Sequence, residues 1–477
     1  MQLFAGWALS LGCGAGALLL LRRGPTGQHL PIVAFLATWC VAIALFILAD
    51  GASFPLEQRT TILVLIAVLS VVGGYGLQEI CLLKKRRGHV SFHDAQLSKW
   101  HSALCGMLTL FVLMQLYRVW PLLNEVGGVK GVLTGGSGLN FRRAYLSDRL
   151  DELQGTISGG SLAVAVLGYA LFLGFASLFT GAYLTVRKRF ARGLAPLVIV
   201  AVYAVLMLER ATFLYALVLY LAALFYFGQI ARKSARVSGR RPWLGILALA
   251  GIAGVAVLQP ILSRRTGAGS GDVQAGPLSY VSSGISGLNG LVRFDPTLQG
   301  AFTGAYSPFP PKVVGDPAVL GHGYGAWVFQ GLAGIASRFG LISGPPPSSL
   351  NFVSTGPDLV GSTSNVYTFI IYPYYDFGYP GIVLSGIVLG FAAGICHRLV
   401  MEKLITWLLP FACLGVATLA MTFFGLTLVR DFRYVVMCLF AGLILRSLSS
   451  HVLQPIQDVV RAGSGIKSTV RTKGSGR

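Results

Sequence analysis

Hydrophobic residues along this chain are grouped in long runs. These runs are separated by short segments that are basic, glycine-rich or polar. A helix that crosses the roughly 30 Å hydrocarbon core of a bilayer needs about 20 apolar residues. Runs of this kind recur from one end of the sequence to the other, so we expect an all-α polytopic membrane protein of about eleven transmembrane helices. The predicted spans are 4–21, 30–49, 61–83, 102–120, 159–186, 194–208, 211–230, 244–262, 379–397, 404–426 and 432–447.

Basic residues are distributed unevenly between alternate loops of this topology. Only 12% of the 477 residues are charged, about half the usual fraction, yet the net charge is +21. One side holds 24 of the 38 Lys and Arg with four acidic residues, and the other holds 14 basic and 13 acidic residues. Since basic loops stay in the cytoplasm, we expect the N-terminus outside and the C-terminus inside. This asymmetry explains the charge without nucleic-acid binding, and the basic face suits anionic lipid headgroups.

The topology divides the chain into four regions. Residues 1–262 form eight N-terminal transmembrane helices, 263–378 a large outer loop, 379–450 three C-terminal transmembrane helices, and 451–477 a basic cytoplasmic tail. The first apolar run has basic residues only after it, at Arg22, so we expect a span rather than a cleaved signal.

The outer loop contains two short helical patterns. One face is apolar in each of the sets Val281, Ile285, Leu288, Val292 and Val328, Leu332, Ile335, Phe339. Both are too short to cross a bilayer, so we expect interfacial helices that lie on the membrane or dip into its outer leaflet. A structured loop of this length is uncommon unless it is functional. We therefore interpret it as a lid over a cavity that opens outward.

Arginines at the outer ends of spans are the first candidates for chemistry, because a charge inside the bilayer costs roughly 2.5–3.5 kcal/mol. Arg210 follows Glu209 in a two-residue turn between apolar spans. It is either an interfacial anchor or an anion-binding group, since a guanidinium fits phosphate oxygens. Similar positions are occupied by Arg338, beside the second loop pattern, and by Arg430 and Arg433, before the last span.

Two titratable groups of the outer segments could accept a proton. His322, the only outer histidine, lies in a glycine-rich turn, where a structural role and a role as a base are both open. Asp376 stands among aromatics before a span, as a helix N-cap, a base or a ligand of sugar hydroxyls. Aromatic rings nearby fit either sugar rings or the aromatic belt of a membrane protein. They are Tyr324, Trp327, Tyr367 and Tyr375.

Metal and disulfide sites are not expected. The seven cysteines all lie within or at the ends of predicted spans, and none forms a Cys-x-x-Cys pair. Ligands at metal-binding spacing do not accompany His322. We therefore expect no metal and no cofactor.

Short motifs within this topology resemble a known family. They are the outer turn Glu209-Arg210 before a span, Asn365-Val-Tyr-Thr at the end of the long outer loop, and Tyr375-Asp-Phe-Gly-Tyr-Pro-Gly before the next span. Together they resemble the O-antigen polymerases, the Wzy-type polymerases of bacterial oligosaccharide repeat units. The resemblance implies a GT-C-like membrane glycosyltransferase of the bacterial inner membrane, acting in lipopolysaccharide biosynthesis at the periplasmic face. Its substrate would be an oligosaccharide on undecaprenyl pyrophosphate, and a chain-length regulator protein would be a partner.

The same resemblance implies roles for the candidate residues. A glycan hydroxyl would attack the anomeric carbon of a second unit, and lipid pyrophosphate would leave. Preorganised cations stabilise such a leaving group without a metal. Arg210 is then the first candidate for pyrophosphate binding, followed by Arg338, Arg430 and Arg433, and either Asp376 or His322 would take the proton. An O-antigen ligase, a transporter or flippase of lipid-linked glycans, and a non-catalytic scaffold remain alternatives.

Overall fold

The computed structural model describes a nearly all-helical protein. The described residues are 2–23, 29–49, 55–80, 89–92, 94–125, 127–128, 131, 190–206, 210–235, 277–294, 328, 353–354, 363–364, 368–424 and 433–452. Their helices are α1 (Gln2–Arg23), α2 (Leu30–Ala49), α3 (Gln58–Ile80), α4 (Asp94–Glu125), α5 (Phe190–Leu206), α6 (Arg210–Ala235), α7 (Pro277–Phe294), α8 (Ile371–Lys403), α9 (Leu409–Met421) and α10 (Arg433–Leu448).

Four short strands accompany the helices, which the all-α prediction did not include. They are β1 (His89–Phe92), β2 (Val353–Ser354), β3 (Thr363–Ser364) and β4 (Ser449–Val452). β1 pairs antiparallel with β4, and β2 pairs antiparallel with β3. Two 3-10 turns flank α9, at Thr406–Leu408 and Thr422–Phe424.

Within the described part of the chain, six helices are long and apolar enough to cross a membrane: Gln2–Arg22, Leu30–Leu48, Gln58–Ile80, Gln96–Tyr117, Phe213–Ile230 and Asp376–Lys403. Three shorter apolar helices, Leu194–Val205, Thr406–Met421 and Tyr434–Leu448, coincide with further predicted spans. The predicted spans 159–186 and 244–262 lie outside the described residues. The structure thus supports a helical membrane protein, and the total of eleven spans stays a prediction.

Glycines hold α3 and α8 at backbone contact. Gly386, Gly390 and Gly394 recur every four residues along α8, a spacing that lets membrane helices approach closely. A Cβ at these three positions would meet, in the same order, Ser70, Val71 and Gln78 of α3. Because both residue series rise together, the two helices are parallel, as the alternation of predicted spans requires. Two parallel helices that are far apart in sequence thereby pack against each other along their length.

Long-range contacts divide the described helix ends into two groups. We call the end that contains residues 55–60, 368–377 and the starts of α6 and α10 the outer end, after the predicted topology, and the opposite end the inner end. At the inner end, β1 and β4 join a predicted cytoplasmic loop to the segment after α10. There Arg398 donates to the Gln78 carbonyl at 2.7 Å and pairs with Glu402 at 3.0 Å. These contacts connect only segments that were predicted on the same side.

A histidine with a buried ring nitrogen lies at the inner end, just before α2. The Nδ1 atom of His29 is buried and has no hydrogen-bond partner among the residues that the structure describes, and the His29 ring meets the Tyr75 ring edge-on at 6.2 Å. Burial lowers the pKa of His29 below 6.5, and the nearby Glu79 carboxylate partly offsets this. The neutral imidazole is therefore the form that the folded protein favours.

Acidification is expected to destabilise the protein through His29. A histidine in the unfolded chain titrates near pH 6.5, so below that pH the unfolded state binds a proton that the folded state resists. Stability should fall as the pH decreases from 6.5 towards the lower folded pKa, and should be unaffected by this group above 6.5. A His29→Phe variant keeps an aromatic ring and should lose less thermal stability in detergent between about pH 7.5 and 5.5. Identical pH dependence in both proteins would contradict this assignment.

Candidate functional site

Two of the predicted anion-binding arginines begin neighbouring helices at the outer end. Arg210 is the first residue of α6, and Arg433 is the first residue of α10. These helices meet through Tyr215, in the second turn of α6, and Tyr434, in the first turn of α10, whose ring centroids are 4.9 Å apart. Arg433 directly precedes Tyr434, and Arg210 lies about 7.5 Å along the axis before Tyr215. The ring contact thus joins two helices near the ends that begin with the predicted arginines.

The electrostatics of two helix starts favour an anion at this place. The first N–H groups of a helix have no partner within it and carry a partial positive charge. An arginine at the first residue adds a full positive charge beside this partial positive charge, where it does not stabilise the helix. A phosphate between two such starts would interact favourably with both helices and both guanidinium groups. The side chains of Arg210 and Arg433 lie outside the described atoms, so the positions alone are observed.

Threonines of α9 join this region to the segment before α8. The hydroxyl groups of Tyr215 and Thr418 are 3.4 Å apart. At the end of α9, the Thr422 carbonyl accepts a hydrogen bond of 2.8 Å from the Phe369 N–H. The Thr422 hydroxyl accepts a further bond of 2.8 Å from the indole of Trp39 in α2. Because these groups are buried, the bonds fix residue 369 firmly against α9.

Asp376 lies beside this segment, in the first part of α8. Its side chain is only 1% exposed, and its Oδ2 accepts a hydrogen bond of 2.7 Å from the backbone N–H of Val328 in the outer loop. The helix has Ile370 as its N-cap, so Asp376 lies inside the helix rather than capping its start. Two residues later Gly378 has φ 65°, a left-handed conformation that suits glycine, and the helix is kinked there.

The first loop pattern forms a helix, as predicted. α7 covers the whole 281–292 pattern, and every described residue from Gly284 to Asn289 is buried. The helix contacts α2 and α3 as well as β2 and β3. Ile285, Leu288 and Val292 of its apolar face lie in one hydrophobic cluster with residues of α2 and α3, and its placement on or in the outer leaflet stays a prediction. The second pattern, 328–339, lies outside the described residues apart from Val328.

Asn289 connects α7 to the segment between α2 and α3. Its Oδ1 accepts hydrogen bonds from the Glu57 N–H at 2.8 Å and the Thr60 hydroxyl at 3.0 Å. Its Nδ2 donates to the Pro55 carbonyl at 3.1 Å. Asn289 is fully buried, so one amide satisfies three polar groups that would otherwise be in an apolar environment.

Replacing Asn289 with alanine is expected to destabilise the outer end. The buried Thr60 hydroxyl and two partly buried backbone groups, of Pro55 and Glu57, would lose their partner, which should cost roughly 2–4 kcal/mol of unfolding free energy. The thermal midpoint of the detergent-solubilised protein measures the loss. Thr109→Ala is the control, because that hydroxyl is exposed and bonds only within its own helix. Equal midpoints for both variants would show that the Asn289 bonds do not hold α7.

The remaining candidates are placed unevenly. Asp376 is described with its side chain, whereas Arg210, Arg433 and Tyr375 are described as helix residues without side-chain detail. The other predicted residues lie outside the described residues: His322, Tyr324, Trp327, Arg338, Arg430 and Tyr367. The roles assigned to all of them stay predictions.

Several residues of this region were not recognised in the sequence. Tyr215 and Tyr434 each follow a candidate arginine within the first two turns of a helix, and this position could have marked them as neighbours of the site. Asn289 is a polar residue in an otherwise apolar and small segment, which indicates a buried hydrogen-bond role.

Among the described residues, no group of three His, Cys, Asp or Glu side chains could hold a metal ion. Comparison with protein-family models, with curated proteins and with solved structures finds no match to the chain.

Proposed function

We propose that this protein is a membrane glycosyltransferase that polymerises oligosaccharide units carried on undecaprenyl pyrophosphate. The observation that carries the proposal is the Tyr215–Tyr434 contact between α6 and α10, near the ends where these helices begin at Arg210 and Arg433. Two arginine positions and two helix N-termini at one end of the bundle form a suitable site for a pyrophosphate. The resemblance of the sequence motifs to O-antigen polymerases supports the same substrate.

The chemistry assigns a task to each group. A hydroxyl of one lipid-linked glycan attacks the anomeric carbon of another, forming a glycosidic bond while the bond to the pyrophosphate oxygen breaks. The leaving pyrophosphate gains negative charge in the transition state, and fixed positive groups stabilise it there more than in the ground state. Arg210 and Arg433 supply these charges, with Arg338 and Arg430 in support. The hydroxyl proton passes to a base, for which His322 and Asp376 are the candidates from the sequence.

The proposed setting follows from the predicted topology. The reaction takes place at the periplasmic face of a bacterial inner membrane, where the outer loop covers the site. Tyr324, Trp327, Tyr367 and Tyr375 contact the glycan, since aromatic faces pack well on sugar rings. A chain-length regulator is the expected protein partner.

Reconstitution tests the proposed function directly. The purified protein in liposomes receives an undecaprenyl-pyrophosphate-linked oligosaccharide, and the products are separated by size. We expect a ladder of longer glycans together with released undecaprenyl pyrophosphate, without added lipid A core and in the presence of a chelator. Transfer that occurs only when lipid A core is added would favour a ligase. Movement of the intact unit between leaflets without a new bond would favour a transporter, and the absence of both activities would favour a scaffold.

A further inference from the structure

One buried hydrogen bond connects the middle of the outer loop to the membrane part of the protein. It runs from the backbone N–H of Val328 to Oδ2 of Asp376, over 2.7 Å. A bond between an N–H and a carboxylate is about twice as strong as one between neutral groups. Forty-eight residues separate the two partners in sequence. The bond therefore fixes one point of the loop backbone against the start of α8.

The surroundings make Asp376 a rigid support. Residues 369–372 are buried, and the Phe369 N–H is bound to the Thr422 carbonyl at the end of α9. On the other side, α8 is kinked at Gly378, two residues after Asp376. The segment that carries Asp376 is thus held by the bundle itself and directs one carboxylate oxygen to the loop.

Burial argues against Asp376 as the proton acceptor. A general base must come within hydrogen-bond distance of the hydroxyl that it deprotonates. Asp376 is only 1% exposed, and its Oδ2 is already bound to the Val328 N–H. A glycan hydroxyl would need to displace the loop backbone in order to reach that oxygen.

We propose that Asp376 is a positioning residue, which acts by holding the outer loop at Val328. This inference rests on the proposed function, and it separates two roles that the sequence left open. In sequence, Val328 directly follows Trp327 and comes six positions after His322. Asp376 thereby fixes the backbone at a residue next to the predicted glycan-contacting and proton-accepting positions in the sequence.

Three variants separate positioning from proton transfer. Asp376→Asn keeps an acceptor oxygen but cannot serve as a base, whereas Asp376→Ala removes the acceptor. Val328→Pro removes the donor N–H, and also fixes φ at this residue, while it leaves Asp376 intact. We expect Asp376→Ala and Val328→Pro each to reduce polymerisation about 100-fold, because small displacements of reacting groups have effects of that size. Asp376→Asn should stay within about tenfold of the natural protein and keep its pH–rate profile.

Coupling between the two partners gives a further measurement. The double variant Asp376→Ala with Val328→Pro should be no more impaired than either single variant, since both remove the same bond. If Asp376→Asn is as inactive as Asp376→Ala, or if its acidic pH limb disappears, Asp376 is a base and the proposal is overturned. Independent additive losses in the double variant would overturn it as well.

Hydrogen exchange tests the anchor without any activity assay. In the natural protein and in Asp376→Asn, the peptide that contains Val328 should exchange slowly, and in Asp376→Ala it should exchange at least about tenfold faster. The peptide around Ser70 in α3 is the internal control and should not change, which verifies that the variant is folded. If the Val328 peptide also stays unchanged, the anchor is refuted. If the natural protein makes no polymer while the exchange result holds, the proposed function fails and the anchor stands.

Discussion

An Arg210→Ala variant is expected to lose glycan polymerisation by about 10²–10³-fold, the usual effect of removing one group that stabilises a developing anion. The loss should appear in the rate at saturating substrate, because the pyrophosphate is more negative when it leaves than when it binds. The ladder assay in liposomes measures this rate. Thermal stability should stay near that of the natural protein, since Arg210 is the first residue of α6 and not part of its interior.

Two further arginine variants make this result specific. Arg210→Lys keeps the charge but loses the planar fork, so its activity should fall between those of the natural protein and Arg210→Ala. Arg59→Ala removes an exposed cation from the first turn of α3, at the same outer end, and should stay near the natural rate. Polymer formation by Arg210→Ala at the natural rate would remove Arg210 from the anion site. An equal loss in Arg59→Ala would show that only the overall charge of the outer face matters.

Replacing Gly390 with valine should have the largest effect on folding. A Cβ at this position would lie 2.8 Å from the Tyr75 nitrogen and 3.0 Å from the Val71 carbonyl carbon, both backbone atoms. Neither helix can move aside locally, so α3 and α8 must separate along their contact. Overpacking of this kind should cost at least about 3 kcal/mol. We expect little monodisperse protein after detergent extraction and a strongly lowered thermal midpoint.

The matched control is a glycine of the same helix pair that faces away from the contact. A Cβ at Gly76 of α3 meets no other atom within 4 Å. Gly76→Val should therefore give a normal yield and a thermal midpoint close to that of the natural protein. Similar loss in Gly76→Val and Gly390→Val would mean that valine disturbs helix insertion in general rather than this contact.

The sequence predicted the membrane helices well because apolar length alone determines them. The span predicted at 211–230 corresponds to α6, Arg210–Ala235, and its start lies within one residue. The start of α8 was less accurate, since it begins at Ile371 rather than near 379. A helical part before the Gly378 kink was read as loop, because Gly-Tyr-Pro resembles the start of a helix. Local signals therefore predicted a helix start at the position where the structure has a kink, and they missed the buried turn before it.

The sequence identified candidate residues of the site, but it did not predict how the fold arranges them. Arg210 and Arg433 are recognisable because each stands in a short polar turn beside an apolar run. Their adjacency depends on the Tyr215–Tyr434 contact, which joins helices more than 200 residues apart. Contacts of that range depend on how helices pack, and the periodicity of a single segment contains no information about its partner. For the same reason the sequence did not predict that α7 packs against α2 and α3.

The contact between α3 and α8 also sets an order for biogenesis. About 300 residues separate Gly74 from its partner Ile387, so α3 enters the membrane some 15–60 s before α8 at synthesis rates of roughly 5–20 residues per second. During that interval the face of α3 that contains Gly74 is in contact with lipid or the insertion machinery instead of with α8. A ribosome-bound chain arrested before α8 should accordingly remain accessible to insertases and membrane proteases.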